Sequence, residues 1–144
     1  MIRIRGEKGE CKFARMKIAF IDDDPMILHM LGSIFRRRGH EVLTYDHPLS
    51  CPLYTAPHGS CFPDSTCPDM IISDYDMPDV NGATFIETII KKGCKCQYIA
   101  LLSGQHIPDD VMCRLAKYGT RFFTKPLDFV EVETWIMLRE LKRI

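Results

Sequence analysis

The residues best equipped for chemistry stand in four short polar clusters, each directly after an apolar run: Asp22-Asp23-Asp24-Pro25, Asp74-Tyr75-Asp76-Met77-Pro78, Ser103-Gly104 and Lys125-Pro126. The runs before them are Lys17 to Ile21, Met70 to Ser73, Tyr98 to Leu102 and Arg121 to Thr124. They have the length and composition of buried parallel strands. Open α/β sheets bind ligands at the carboxyl ends of their strands, so carboxylates, a hydroxyl and a lysine would converge on one rim. A divalent cation together with a transferring phosphoryl group requires that set. Clustered carboxylates raise one another's pKa unless a cation intervenes, and Mg²⁺ takes one or two carboxylates while keeping waters and phosphate oxygens. Asp22 and Asp23 are the candidate ligands, with Asp74 placed to attack phosphorus. Ser103 can donate a hydrogen bond to an incoming phosphoryl group, and Lys125 can offset its charge. Singly, these residues have plainer readings, since Asp before a helix is a common N-cap and a lone lysine is usually a surface lysine. Their co-occurrence, in order and each at a strand end, favours chemistry.

The elements that must position them follow from periodicity. Pro25 suits a first helical turn, and Ile27, Met30, Leu31, Ile34 and Phe35 repeat as an amphipathic helix that Gly39 ends. Glu41 to Tyr45 is a second strand and Asp69 to Ser73 a third. The turn Met77 to Gly82 leads to a helix carrying Phe85, Ile86, Ile89 and Ile90, closed by Gly93. A fourth strand, Gln97 to Leu102, precedes a helix from Pro108 to Tyr118 with Val111, Met112 and Leu115 inward. Arg121 to Thr124 is the fifth strand, and Asp128 with Glu131 reads as a capping box opening a last helix through Leu141. That helix is apolar on more than one face, which suits deep burial or a partner surface. Strands alternating with helices argue a parallel sheet covered on both faces. One segment breaks the alternation: between Tyr45 and Asp69 lie five of the nine prolines with Cys51, Cys61 and Cys67, so a loop is expected there instead of a crossover helix.

A chain of 144 residues is long enough for one domain with a real core. Zero formal net charge argues against a nucleic-acid partner, and Arg36-Arg37-Arg38 sits where a helix end favours cations. No apolar stretch is long enough to cross a bilayer, so no membrane partner is expected. Residues 1–15 hold five Lys/Arg and two Glu but no apolar core, unlike a signal peptide. They are expected to be a disordered extension or the product of an over-extended start, with residues 16–144 as the folded domain. Seven cysteines without a regular framework suggest reduced thiols and a cytoplasmic protein. His47, Cys51, His58, Cys61 and Cys67 are accepted zinc ligands, but no Cys-x₂-Cys pair occurs and the spacings match no common site. Cys94 and Cys96 read as loop residues, and His106 as exposed.

From Met16 to Arg143 the chain resembles a receiver domain of the two-component response-regulator family. The string Ile71-Ile72-Ser73-Asp74-Tyr75-Asp76-Met77-Pro78-Asp79-Val80-Asn81-Gly82 carries the resemblance, with Lys125-Pro126. It implies a three-layer, doubly wound, flavodoxin-like α/β fold whose five-stranded parallel sheet has the order 2-1-3-4-5. It implies that Asp74 is the phospho-acceptor and that Asp22 and Asp23 are the acidic pair holding Mg²⁺ (or Mn²⁺), with Asp76 lending its backbone carbonyl. Ser103 falls at the switch hydroxyl, Lys125 at the invariant lysine and Phe122 at the aromatic rotamer switch. The implied donor is a histidine kinase or a histidine phosphotransfer protein. The implied readout is an unidentified output protein, or a homodimer, at the fourth helix, fifth strand and fifth helix. Such a protein catalyses its own phosphorylation from small phosphodonors and its own dephosphorylation, without being an enzyme for an outside substrate. Charge added at Asp74 would draw in Ser103, and Phe122 would turn inward.

The resemblance has departures. The second helix is replaced by the Pro/Cys segment, and Gly104 stands where Ala usually follows the switch hydroxyl. Asp76 adds a negative side chain beside Asp74, with Gln105 close by; the family uses those two positions to tune phosphoryl lifetime. The chain ends with the fifth helix, so a stand-alone receiver is expected. The isomer of the Lys125-Pro126 bond is open. Asp74-Tyr75-Asp76 also resembles the Asp-x-Asp of haloacid-dehalogenase-type phosphatases, but Pro78 stands where that family has Thr and there is no room for a cap domain. The nearer rival is a receiver-like docking module that is never phosphorylated, against which the complete set of five site residues argues.

Overall fold

The computed structural model describes residues 4–5, 11–12, 15–57 and 67–142. Five parallel strands form its centre: β1 (Lys17–Ile21), β2 (Glu41–Tyr45), β3 (Met70–Asp74), β4 (Tyr98–Ser103) and β5 (Arg121–Thr124). They lie in the order β2-β1-β3-β4-β5, as the resemblance implies. Register pairs Ile21 with Ser73, Asp74 with Leu102 and Ser103 with Thr124, so the polar clusters leave the sheet side by side.

Alternate residues of each strand point to opposite faces. Ile18, Phe20, Met70, Ile72, Ala100, Leu102 and Phe123 face α1 (Pro25–Arg37) and α5 (Phe129–Lys142), against Leu31, Phe35, Val132, Trp135 and Ile136. Ala19, Ile21, Ile71, Ile99 and Leu101 face the other side, against Leu53, Ala83, Phe85, Ile86, Ile89 and Leu115. Those belong to α2 (Pro52–Thr55), α3 (Gly82–Lys91) and α4 (Asp109–Ala116). The result is the three-layer α/β fold.

Helix termini follow local chemistry. Asp24 caps α1, its side chain accepting from the Met26 N–H at 2.9 Å, and Asn81 caps α3 through the Thr84 N–H. Gly39 and Gly93 follow the C-caps with φ of 90° and 92°, a region open to glycine at little cost. Asp128 accepts from the Val130 N–H at 3.0 Å, but Glu131 does not reach back to complete the expected capping box. Its Oε1 accepts instead from Arg121 at 2.8 Å, because a guanidinium on β5 is a stronger donor than a backbone amide. Helix α5 splits the two readings of its apolar residues: Val132, Trp135 and Ile136 are buried, while Val130, Leu138 and Leu141 are exposed.

The second crossover keeps a remnant of helix. A 3₁₀ turn, Pro48–Ser50, and the single turn α2 each begin with proline, where its missing N–H is harmless. Cys51 and Leu53 are buried against the sheet, Tyr54 packs on Phe85 with centroids 6.0 Å apart, and Lys92 donates to the carbonyls of Tyr54 and Ala56. Cys51 is therefore a core residue, not part of a surface loop, and burial pushes its thiol pKa up. His58 and Cys61 lie outside the described residues, as does most of the expected N-terminal extension. Within that extension, Ile4–Arg5 pairs antiparallel with Cys11–Lys12.

One polar contact inside the core joins distant parts of the chain. His40 Nδ1 accepts from the Met16 N–H at 3.0 Å, and its Nε2 lies 2.7 Å from Glu140 Oε1 on α5. Both side chains are buried. No helix among the described residues is long and apolar enough to cross a membrane.

Candidate functional site

The strand ends bring the sequence-chosen residues together. Asp22 follows β1 with its backbone held by the Tyr45 carbonyl at 3.1 Å, and its side chain is 2% exposed. Oδ1 accepts from the Asp24 N–H at 2.9 Å, leaving Oδ2 to face Lys125 Nζ at 3.2 Å. Asp74 ends β3 and is 1% exposed; its Oδ1 accepts from the Asp76 N–H at 3.1 Å and lies 3.2 Å from Lys125 Nζ. Lys125 thus bridges two carboxylates, and its own N–H donates to the Ser103 carbonyl at 2.8 Å. Its peptide bond to Pro126 is cis. Asp23 is exposed at the mouth of the site.

Ligand oxygens of Asp22, Asp23 and Asp74 lie within 4.8 Å of one another. Among the described residues this is the one such group of His, Cys, Asp or Glu, and His47, Cys51 and Cys67 do not form another. Burial and then the charge of Asp22 raise the Asp74 pKa from 3.8 to about 7, against the opposing pull of Lys125. Asp22 is also raised, chiefly by burial, which its bond from Asp24 and the charge of Lys125 only partly offset. Burial works against the charge on Lys125, but Asp22 and Asp74 together outweigh it and its pKa is raised. One ammonium therefore leaves the carboxylates under-compensated. An all-oxygen donor set with one exposed member fits a hard divalent cation that keeps some of its waters.

The backbone around Asp74 is shaped by Gly82. Its N–H donates to the Tyr75 carbonyl at 2.9 Å. A Cβ there would press on the Asp74 carbonyl and lie 2.8 Å from Leu101 Cδ2, so the start of α3 approaches Asp74 only through glycine. Asp79, in the same loop, adopts a φ of 68°, a conformation Asp tolerates better than most residues. His47 from the second crossover reaches this loop as well: its Nε2 donates to the Pro78 carbonyl at 2.8 Å while Nδ1 accepts from the Leu49 N–H. That contact could not be read from spacing, because the two residues are 31 apart.

Ser103, at the end of β4, is buried. Its Oγ lies 3.2 Å from Asp76 Oδ2 and 2.7 Å from the Gln105 carbonyl, and it accepts from the Gln105 N–H at 3.1 Å. Asp76 Oδ2 also accepts from the Gly104 N–H at 3.3 Å. The family resemblance implies a role for the Asp76 backbone carbonyl, whereas its side-chain partners, Ser103 and Gly104, emerge only from the fold. Phe122 is half-buried on β5. It borders an open cavity of about 340 Å³ with Ser103, Gln105, Ile107 and Met112. His106 is exposed, 3.8 Å from Asp109.

Comparison with known proteins gives the chain a family. Residues 18–136 match the family model described as the response regulator receiver domain. No curated protein matches the chain. Among solved structures, the chain is similar to the chemotaxis protein CheY4 of Vibrio cholerae, with a TM-score of 0.66 and 23% identity over 88% of this chain and 99% of that one. It is also similar to the receiver domain of the Francisella response regulator 1452, with a TM-score of 0.69 and 18% identity over 90% and 99%. A response regulator receiver domain protein from Clostridium thermocellum gives a TM-score of 0.66 and 22% identity over 88% and 94%. These likenesses support the fold, whereas the family match runs from β1 into α5 and takes in all four polar clusters; the chain belongs to the response regulator receiver family.

Proposed function

We propose that the chain accepts a phosphoryl group on Asp74 from a histidine kinase or a histidine phosphotransfer protein and passes the signal to a separate partner. The observation that carries this is the convergence of Asp22, Asp23 and Asp74 within 4.8 Å, bridged by Lys125 at 3.2 Å from two of them. Mg²⁺ (or Mn²⁺) would be held by the three carboxylates with the Asp76 backbone carbonyl, where it supplies positive charge against the carboxylates and the phosphoryl oxygens. An Asp74 carboxylate oxygen forms the bond to phosphorus as the bond from phosphorus to the donor's leaving nitrogen breaks. Lys125 balances charge on the transferred group, and Ser103 donates to one of its oxygens. The cavity beside Phe122 leaves room for that ring to turn inward once Ser103 is drawn to the phosphoryl group. The exposed Val130, Leu138 and Leu141 of α5, with β5 and α4, give the output or homodimer surface. In this reading residues 16–144 are the working unit, the protein is cytoplasmic, and it loses its phosphoryl group by its own hydrolytic activity.

The test is intact-protein mass after incubation with acetyl phosphate and Mg²⁺, beside Asp74→Ala. One phosphoryl adduct that needs Mg²⁺ and disappears in the variant is the expected result. No adduct under conditions where Mg²⁺ binds and a phosphorylated donor protein is also supplied would overturn the reading in favour of phosphorylation-independent docking.

A further inference from the structure

Ser103 and Gly104 present two consecutive donors, a hydroxyl and a backbone N–H, to a single oxygen. Asp76 Oδ2 lies 3.2 Å from one and 3.3 Å from the other. Two adjacent donors converging on one anionic oxygen at a strand end form an oxyanion receptor. Here the chain's own carboxylate occupies it. Lys125 does not reach Asp76, since its ammonium is engaged with Asp22 and Asp74. Among the described residues no other cation pairs with Asp76 either. Its charge is met by neutral donors alone, which holds a carboxylate more weakly than an ion pair with equal desolvation would.

The receptor stands where a phosphoryl group on Asp74 would arrive. Asp74 pairs with Leu102 across the sheet, the residue before Ser103, and the Asp76 N–H donates to Asp74 Oδ1. The acceptor, the receptor and its occupant therefore share one small volume. Ser103 is already in full use: its one proton is contested by Asp76 and the Gln105 carbonyl, and its oxygen accepts from the Gln105 N–H.

We infer that the Asp76 side chain is an internal anion occupying the receptor formed by Ser103 and Gly104, which phosphorylation of Asp74 must displace. This rests on the phospho-acceptor reading and adds a positioning residue to it, separate from the Asp76 backbone carbonyl. A phosphoryl group brings up to two negative charges and three acceptor oxygens. It competes for both donors while repelling the carboxylate, and Asp76, half-buried with solvent on one side, is the group free to withdraw. The receptor then discriminates by charge. An anion that does not outcompete a carboxylate leaves Ser103 where it is.

The experiment is titration calorimetry of beryllofluoride, a phosphoryl mimic, into the full chain at saturating Mg²⁺. Wild type is compared with Asp76→Ala and Asp76→Asn, and each variant's Mg²⁺ affinity is measured first. Vacating the receptor is expected to tighten beryllofluoride binding about tenfold in Asp76→Ala, the scale of one charge-assisted hydrogen bond. Asp76→Asn, which keeps an acceptor oxygen without the charge, falls between. In a Ser103→Ala background the gain from Asp76→Ala shrinks, a coupling that a general charge effect at the site would not produce. Binding by Asp76→Ala no tighter than wild type overturns the inference and leaves the phospho-acceptor reading standing, because wild type still binds. Failure of both proteins to bind beryllofluoride overturns both.

Discussion

Replacing Asp74 with Asn is expected to stabilise the metal-free protein, although it removes the proposed acceptor. Folding moves the Asp74 carboxyl from 3.8 to about 7, first through burial and then through Asp22. Each pKa unit corresponds to about 1.4 kcal/mol, so ionising Asp74 in the folded chain opposes folding by about 4 kcal/mol. A carboxyl raised in this way favours the folded state while protonated. That contribution is complete below pH 3.8 and is lost as the pH rises through about 7. An amide at the position has no such loss. The pull of Lys125, 3.2 Å away, is already contained in the shift to about 7, so the expected gain of Asp74→Asn at pH 8 is about 4 kcal/mol. At pH 5 part of the loss has already occurred, and the gap between variant and wild type is expected to be smaller by about 3 kcal/mol. Urea unfolding at pH 5 and pH 8 with a chelator present measures both gaps. Equal gaps at the two pH values, or a variant less stable than wild type at pH 8, would refute the reasoning.

Three further outcomes follow from other contacts. Mg²⁺ at about 100 times its Kd is expected to raise wild-type stability at pH 8 by about 2.7 kcal/mol; thermal unfolding should show this stabilisation largely lost in Asp22→Ala. Gly82→Ala, which drives a methyl group against the Asp74 carbonyl and Leu101, is expected to cost about 2 kcal/mol or more, read from urea midpoints. Glu140→Ala leaves the His40 Nε2–H, otherwise 2.7 Å from its acceptor, buried without one. A loss of about 2 kcal/mol is expected, with a smaller loss for Glu140→Gln, in denaturant titrations at neutral pH.

Strands and site residues were legible for one shared physical reason. A strand buried on both faces must be continuously apolar, so the polar residues ending each run mark both the strand terminus and the rim. Asp22, Asp74, Ser103 and Lys125 all announced themselves in this way. The order of the strands came from the family resemblance, not from the runs. What escaped the sequence depends on partners far along the chain: His40 and Glu140 are 100 residues apart, and Asp76 and Ser103 are 27 apart. Each side chain is ordinary in its local window. The turn of helix at Pro52–Thr55 was hidden by the prolines around it, because proline excludes a long helix without excluding one turn that begins with it. Glu131 had the right spacing for a capping box, but Arg121 on a neighbouring strand took it.

The uneven anchoring of the helices has a consequence for how a signal would travel. Helix α5 is fixed by Val132, Trp135, Ile136 and Glu140 and tied to the end of α1 by Arg38 and Glu133 at 2.7 Å. Helix α4 buries Leu115 alone, starts without a side-chain cap, and meets α3 through the partly exposed pair Arg114–Glu87, a kind of contact worth little. Its local opening free energy is therefore low compared with that of its neighbours, and it begins five residues after Gly104. An element so lightly held is one whose population, more than its position, responds to a change at the loop before it. If Asp74 is phosphorylated as proposed, linkage makes the relation reciprocal: a partner that prefers one arrangement of α4 would shift the equilibrium between empty and phosphorylated Asp74 by the same factor by which phosphorylation would shift its own binding.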